Sequence, residues 1–409
     1  MMEGRWLSPA QNIDSSMSAI QILREDSRSP DLKPLDEALR AWEIRRSDPK
    51  ESHRLAMGLI DHGLEIDDPL VTAWSYLTCG AHELAANEFN RAEESLESAI
   101  KLFVRTGEKR GESLAIVLRA RVCMGRGEFH PALEMYKSVI EREAHGLHTL
   151  ERFEAFNAIA GCFWGLDNVE VCLLYLSKAF DTLRNTAYNA ERATVLSNMS
   201  ATLARVGNYE SAREFLLAAV KFSGSAGDKI LHFNILTNLV SCHNELKEVP
   251  EAVAVSARML SDYQELAFAG PNNIALCNAA VAFANAGQWA LADQCLVGAQ
   301  IIAQENELPI SHIGLAQAEA TIAEARGNHA VAIAHAESLL ENFGEQLSNE
   351  IRSQVYSLLA VCYQRLSRVN DMLDVKKKRL ALFESRYSAG LAAAMVILDL
   401  KASLKNLTG

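Results

Sequence analysis

Small, apolar and polar residues recur along this chain on one long period. The string GEFHPA at Gly127 returns as GNYESA at Gly207, GQWALA at Gly287 and GNHAVA at Gly327, and weaker copies stand at Asn87, Asp167, Lys247 and Ser367. All eight fall on a spacing of 40 residues without an insertion or deletion. Counting each unit from Ala73, the eighth place reads Gly80, Ala120, Ala160, Ser200, Val240, Ala280, Ala320, Ala360. The twentieth reads Ala92, Ala132, Cys172, Ala212, Ala252, Ala292, Ala332, Met372. Small residues at two fixed places let two helices approach closely. The seventeenth place is aromatic in four units (Phe89, Phe129, Tyr209, Trp289), with Val169, Val249, His329 and Val369 in the others, and a glycine or polar residue two places earlier supplies a turn. Places 4, 7, 8 and 11 share one side of a helix at 100° per residue and form a packing face. Each unit therefore predicts a helical hairpin, and stacked hairpins share one continuous core.

Composition narrows this picture. A chain of 409 residues has room for two or three globular domains or one elongated array, and the unbroken period selects the array. With 49% hydrophobic residues it is too apolar for disorder; with 7% aromatic and many alanines it leans to helix. Forty basic residues against 52 acidic ones give a net charge of −12, which lacks the basic footprint of a nucleic-acid binder. Eight cysteines include no C-x-x-C pair, so the expectation is reduced, buried thiols and no metal site. The N-terminus has no basic stretch followed by an apolar run, and the longest apolar stretch, Leu391 to Leu400, is interrupted by Asp399. A soluble, cytoplasmic protein without a membrane segment is expected.

The small eighth and twentieth residues, the G-x-aromatic-x-x-A turn, and apolar residues at the twenty-seventh place (Ala99, Val139, Ala179, Ala219, Ala299) resemble the tetratricopeptide repeat, TPR. The period of 40 instead of the usual 34 resembles the longer-helix, MalT-like bacterial branch. The resemblance implies an all-α fold, a right-handed α-α superhelix of eight clear hairpins plus a degenerate one. The expected organisation is a mobile tail at 1–32, a degenerate hairpin at 33–72 (Leu35 to Arg46, then Pro49 to Leu64), the array at 73–387, and a C-terminal helix at 388–409. A short helix at Met17 to Leu23 is expected in the tail. The segment from Ser388 to Leu404 is unusually apolar for a cap; it reads equally as a helix docked on the last repeat or as a homodimer interface.

Places 2, 6, 9 and 13 of the first helix lie opposite the packing face, where proteins of this family line a concave groove for extended peptides. Place 6 runs through three successive asparagines, Asn198, Asn238 and Asn278. Stacked helices lie about 9 Å apart and an extended chain advances about 3.3 Å per residue, so such a row meets every third peptide unit or so. An amide side chain carries a donor and an acceptor, matching one peptide group. A similar asparagine ladder occurs in peptide-holding members such as kinesin light chains and peptide-pheromone receptors. The alternative is that these amides cross-link adjacent helices or face water. Asn157, Asn234, Asn244 and Asn285 raise the local amide density. Of 32 stripe positions only Arg121, Glu154, Arg205, Glu245 and Arg365 are charged, so the groove is expected to be neutral, with Arg205 available to an acidic ligand group. Trp164, beside Gly161 and Gly165, suggests either a side-chain pocket or plain packing; Trp74 and Trp289 are assigned to packing.

No nucleotide-binding, nucleophile-elbow or zinc-protease motif occurs. His145 and His148 read as a solvated joint, His243 as a core histidine, and Lys376 to Arg379 as a solvated face. The expectation is a non-catalytic binder of a protein or extended peptide, with no cofactor and no catalytic residues. The alternative is a regulatory input module that acts by oligomerisation or by controlling a signalling enzyme such as a diguanylate cyclase.

Overall fold

The computed structural model describes residues 33–45, 48–141, 149–184, 186–265, 273–305 and 309–382. The expected tail at 1–32, with its helix at Met17, the joint holding His145 and His148, and the C-terminal helix at 388–409 lie outside these residues. The described residues are helical throughout, without a strand. By contact the chain forms two compact units, divided between Thr186 and Ala187.

The first unit contains α1 (Lys33–Ile44), α2 (Pro49–Glu65), α3 (Pro69–Ala85), α4 (Phe89–Thr106), α5 (Lys109–Gly125), α6 (Phe129–Glu141), α7 (Thr149–Gly165) and α8 (Val169–Thr182). The second contains α9 (Asn189–Arg205), α10 (Tyr209–Ala226), α11 (Lys229–Leu246), α12 (Val249–Glu265), α13 (Asn273–Asn285), α14 (Trp289–Gln304), α15 (Pro309–Ala325), α16 (His329–Phe343), α17 (Asn349–Arg365) and α18 (369–382). Odd-numbered helices are the first of each hairpin and even-numbered ones the second.

Local chemistry explains the punctuation. The turn inside each of the eight hairpins from α3 onwards places its fifteenth residue in the left-handed region: Asn87 (φ 60°), Gly127 (78°), Asp167 (58°), Gly207 (79°), Lys247 (60°), Gly287 (71°), Gly327 (78°) and Ser367 (58°). The next N–H then reaches back five residues, as from Glu128 to Cys123 O (2.8 Å) or Asn208 to Leu203 O (3.0 Å), satisfying a carbonyl at the helix end. The joints between hairpins start the next helix with a side-chain cap. The Asp68 carboxylate accepts from Leu70 N and Val71 N, that of Asp228 from Leu231 N, and Ser348 Oγ from Ile351 N.

The small places are closed by packing. Ala92, Ala120, Ala132, Ala160, Cys172 and Ala212 are fully buried, and a Cβ on Gly80 would lie 2.7 Å from Leu96 Cγ. In the first unit, Trp74 sits edge-on to Phe103 (5.3 Å between centroids) and tilted against Trp42 (6.2 Å). In the second, Phe233, Val240, Met259, Cys277 and Phe283 form one cluster, and Ile333, Leu339, Ile351, Val355 and Leu359 another. Each such buried side chain contributes about 1.5–3 kcal/mol of transfer free energy. All eight cysteines are free thiols in buried positions; burial pushes the Cys242 and Cys162 thiols up to about 12, which keeps them protonated and unreactive.

Candidate functional site

In the second unit the first helices lie side by side in chain order, α9 against α11, α11 against α13, α13 against α15 and α15 against α17. Amide side chains stitch these neighbours together. Asn238 Nδ2 on α11 donates to Ser197 Oγ on α9 (3.3 Å), and Asn278 Nδ2 on α13 donates to Thr237 O on α11 (3.2 Å). Asn244 Nδ2 returns from α11 to Asn278 O (3.0 Å), and Asn273 Nδ2 reaches Ser311 O on α15 (2.7 Å). Gln317 Nε2 on α15 donates to Gln354 Oε1 on α17 (2.6 Å). Gln354 Nε2 donates in turn to the Tyr209 hydroxyl (3.2 Å), which donates to Glu350 Oε1 (2.7 Å). Tyr209 opens α10, so this last contact ties the first of these repeats to the fifth.

The sixth-place row is therefore less open than the sequence suggests. Asn198 is fully buried and Asn278 is 2% exposed, while Asn238 is half-buried. The expectation that the sixth place lies opposite the packing face is corrected for these residues. In α9, Thr194, Asn198 and Ala201 are all buried, because the sixth place points at the seam between successive first helices. Asn234, Asn285 and Arg205 are half-buried, and Asn157, on α7 of the first unit, is buried. Among the described residues, the side-chain oxygens of Asn244 and Gln317 are buried without a hydrogen-bond donor. Both sit in the amide seam and are acceptors with unused capacity.

Around Tyr209 the chemistry is acidic. Burial, followed by the nearby Glu350 and Glu245 carboxylates, pushes its phenol well above the usual tyrosine range, so it stays protonated and donates. Next to it, His243 is buried with Nδ1 2.6 Å from Glu248 Oε2, a partnered core histidine as the sequence suggests. Arg213 pairs with the other oxygen of the same carboxylate.

The pocket beside Trp164 does not form at Gly165. A Cβ there would lie 2.3 Å from Phe129 Cζ, so the missing side chain makes room for the seventeenth-place ring of the preceding repeat. Phe89 fills the space over Gly125 in the same way. Trp164 is half-buried; Trp74 is buried as expected, whereas Trp289 is 37% exposed beneath the Arg326 guanidinium, 5.2 Å from its centroid. Lys376 to Arg379 are exposed. Sequence reading missed Tyr209, Glu350, Gln317 and Gln354. The two glutamines stand at places 5 and 2 of their units, where Ala318 and Leu358 hold the sixth place, so the period of the asparagine row gave no signal for them.

Among the described residues no three His, Cys, Asp or Glu side chains are grouped to hold a metal ion, and no helix is long and apolar enough to cross a membrane. No family model and no curated protein matches the sequence. The fold does have solved counterparts. A Rap protein complexed with competence and sporulation factor aligns at a TM-score of 0.61 and 14% identity, over 88% of this chain and 100% of that one. The apo quorum sensor NprR from B. thuringiensis gives 0.61 and 16%, over 85% and 97%. NprR in complex with its cognate peptide NprX gives 0.55 and 15%, over 87% and 99%. At this identity the likeness is one of fold. With its 40-residue hairpins, left-handed turns and small packing places, the chain has a tetratricopeptide-like helical repeat fold.

Proposed function

We propose that this protein is a non-catalytic regulatory scaffold that holds an extended peptide segment against the amide-lined face of α9, α11, α13, α15 and α17. The observation that carries the reading is the seam itself, a run of side-chain amides across five neighbouring helices. The amides at its accessible edge carry a donor and an acceptor, which match one peptide group. The half-buried Asn234, Asn238, Asn285 and Arg205 are the residues a ligand reaches first. The buried Asn198 and Asn278 hold the row in register. Asn157 and Trp164 belong to the first unit and are proposed as binding residues of that unit by itself. Two of the similar folds were solved with a bound partner, one of them a peptide, which suits a peptide ligand here.

A randomised heptapeptide library panned on the full chain tests this. The enriched peptide, titrated calorimetrically, binds Asn238→Ala about tenfold more weakly, the loss of roughly one to two hydrogen bonds. Thermal unfolding of that variant stays unchanged. Failure to enrich any sequence, or equal affinity for both proteins, overturns the proposal.

A further inference from the structure

Four steps of the stack separate the hairpin of α9 and α10 from that of α17. At about 9 Å per step a straight stack would hold them about 36 Å apart, yet the Tyr209 hydroxyl lies 2.7 Å from Glu350 Oε1. The amide bonds of the seam join residues 34 to 41 positions apart, one repeat to the next. The two bonds at the Tyr209 hydroxyl, to Glu350 and from Gln354, span 141 and 145 positions. Tyr209 opens a second helix and Glu350 stands in the first turn of a first helix. The contact therefore joins the turn end of one hairpin to the joint end of another, and through Gln354 and Gln317 it continues into the seam. The seventeenth place does something else in the first unit, where Phe89 and Phe129 fill the space over Gly125 and Gly165, 36 residues further on. The residue 36 places after Tyr209 is Glu245, so no glycine gap receives this ring, and its hydroxyl meets α17 instead.

We infer that Tyr209 is a positioning residue: its bond to Glu350 fixes the curvature of the second unit before any ligand arrives, and so sets the spacing at which the amide edge meets a peptide. Glu350 is 2% exposed. A hydrogen bond to an ionised acceptor is roughly twice as strong as a neutral one, and a buried carboxylate that loses a donor is destabilised further. This bond therefore outweighs any single amide bond of the seam. A peptide laid along these helices meets amides on α11 and α13 in turn, and curvature decides whether successive amides fall on successive peptide units. Curvature fixed in advance leaves less to be ordered on binding. The statement about curvature holds for the free protein; its consequence for affinity rests on the function proposed above.

Pulsed electron–electron distance measurement on the full chain reads the curvature without a peptide. Spin labels go on Leu217→Cys in α10 and Val331→Cys in α16, which are exposed positions on second helices; the eight native thiols are buried. The labelled parent gives one narrow distance distribution. Tyr209→Phe broadens it about twofold, as joints that yield independently add their displacements. Glu350→Ala does the same, whereas Glu350→Gln, which keeps an acceptor for the phenol, stays narrow. Equal widths in all of these proteins, or a Glu350→Gln distribution as broad as that of Glu350→Ala, overturn the inference. In the same cysteine background, the peptide enriched by panning binds Tyr209→Phe about tenfold more weakly, as when one chain in ten keeps the closed curvature. A bis-maleimide that joins the two cysteines at the parent distance restores the affinity. Loss without restoration assigns Tyr209 to the peptide contact itself and overturns the positioning role, and so does unchanged affinity. If panning enriches nothing, the proposed function fails, and the distribution widths alone decide the role of the contact in curvature.

Discussion

Replacing Asn278 by alanine removes the side chain that ties α13 to α11. Its Nδ2 lies 3.2 Å from Thr237 O, and the residue is 2% exposed, so water does not replace the lost bond. The bond contributes about 1 kcal/mol, and the space left by the amide costs about 1 kcal/mol more. Alanine is the better helix former by roughly 0.5 kcal/mol. The net loss of about 1.5 kcal/mol falls on the local opening of α11 and α13, since a repeat array opens in segments rather than all at once. Hydrogen exchange resolves this: amides in α11 and α13 exchange about tenfold faster in the variant, while those of α3 to α5 do not change. Asn238→Ala behaves differently, because its bond to Ser197 is longer (3.3 Å) and only half-buried, and the propensity gain offsets it. Exchange in Asn278→Ala within twofold of the wild type would refute the view that these amides hold neighbouring repeats together.

Other perturbations follow from single geometric facts. Lys247, at φ 60°, occupies a conformation that costs a side chain about 1 kcal/mol, so Lys247→Gly stabilises the second unit by roughly 0.5–1 kcal/mol in urea unfolding. Gly165→Ala drives a methyl into the Phe129 ring and destabilises the first unit by about 1–2 kcal/mol, and adding Phe129→Leu recovers most of that loss. His82, whose Nε2 lies 2.8 Å from the buried Ser52 hydroxyl, is held down to about 4 by burial and then by His53 and Arg45. The unfolded chain takes up this proton first as pH falls below about 6.5. Stability therefore drops between about 6.5 and about 4. After allowance for partial solvent screening this amounts to roughly 1–2 kcal/mol at pH 5. His82→Gln flattens that slope in denaturation midpoints compared between pH 7 and pH 5; an unchanged slope rejects the assignment.

What the sequence discloses and what it hides divide along physical lines. The turns are legible because a left-handed residue selects glycine, asparagine, aspartate or serine locally, and the exact spacing of Gly127, Gly207, Gly287 and Gly327 carries this through the array. The close approaches at places 8 and 20 are legible for the same reason, as a small side chain is the only local solution. Rotation of a helix about its axis is less so. A small rotation decides whether Asn198 and Asn278 face a groove or the adjacent helix, and periodicity alone does not resolve that difference. Gly165 was readable only jointly with Phe129, 36 residues earlier, a spacing repeated by Phe89 and Gly125. The contact between Tyr209 and Glu350 had no signature at all, because a repeat period says nothing about how far the stack curves.

That contact alters how the second unit carries load. An open stack of hairpins behaves as a spring, each joint yielding a little and the displacements adding along its length. A bond from Tyr209 to Glu350 short-circuits the spring between α10 and α17, so tension applied near α18 reaches α10 without passing through the intervening joints. Extension then has to break the phenol–carboxylate bond as well as bend the joints, a cost of about 1.5–3 kcal/mol for a hydrogen bond to a charged group.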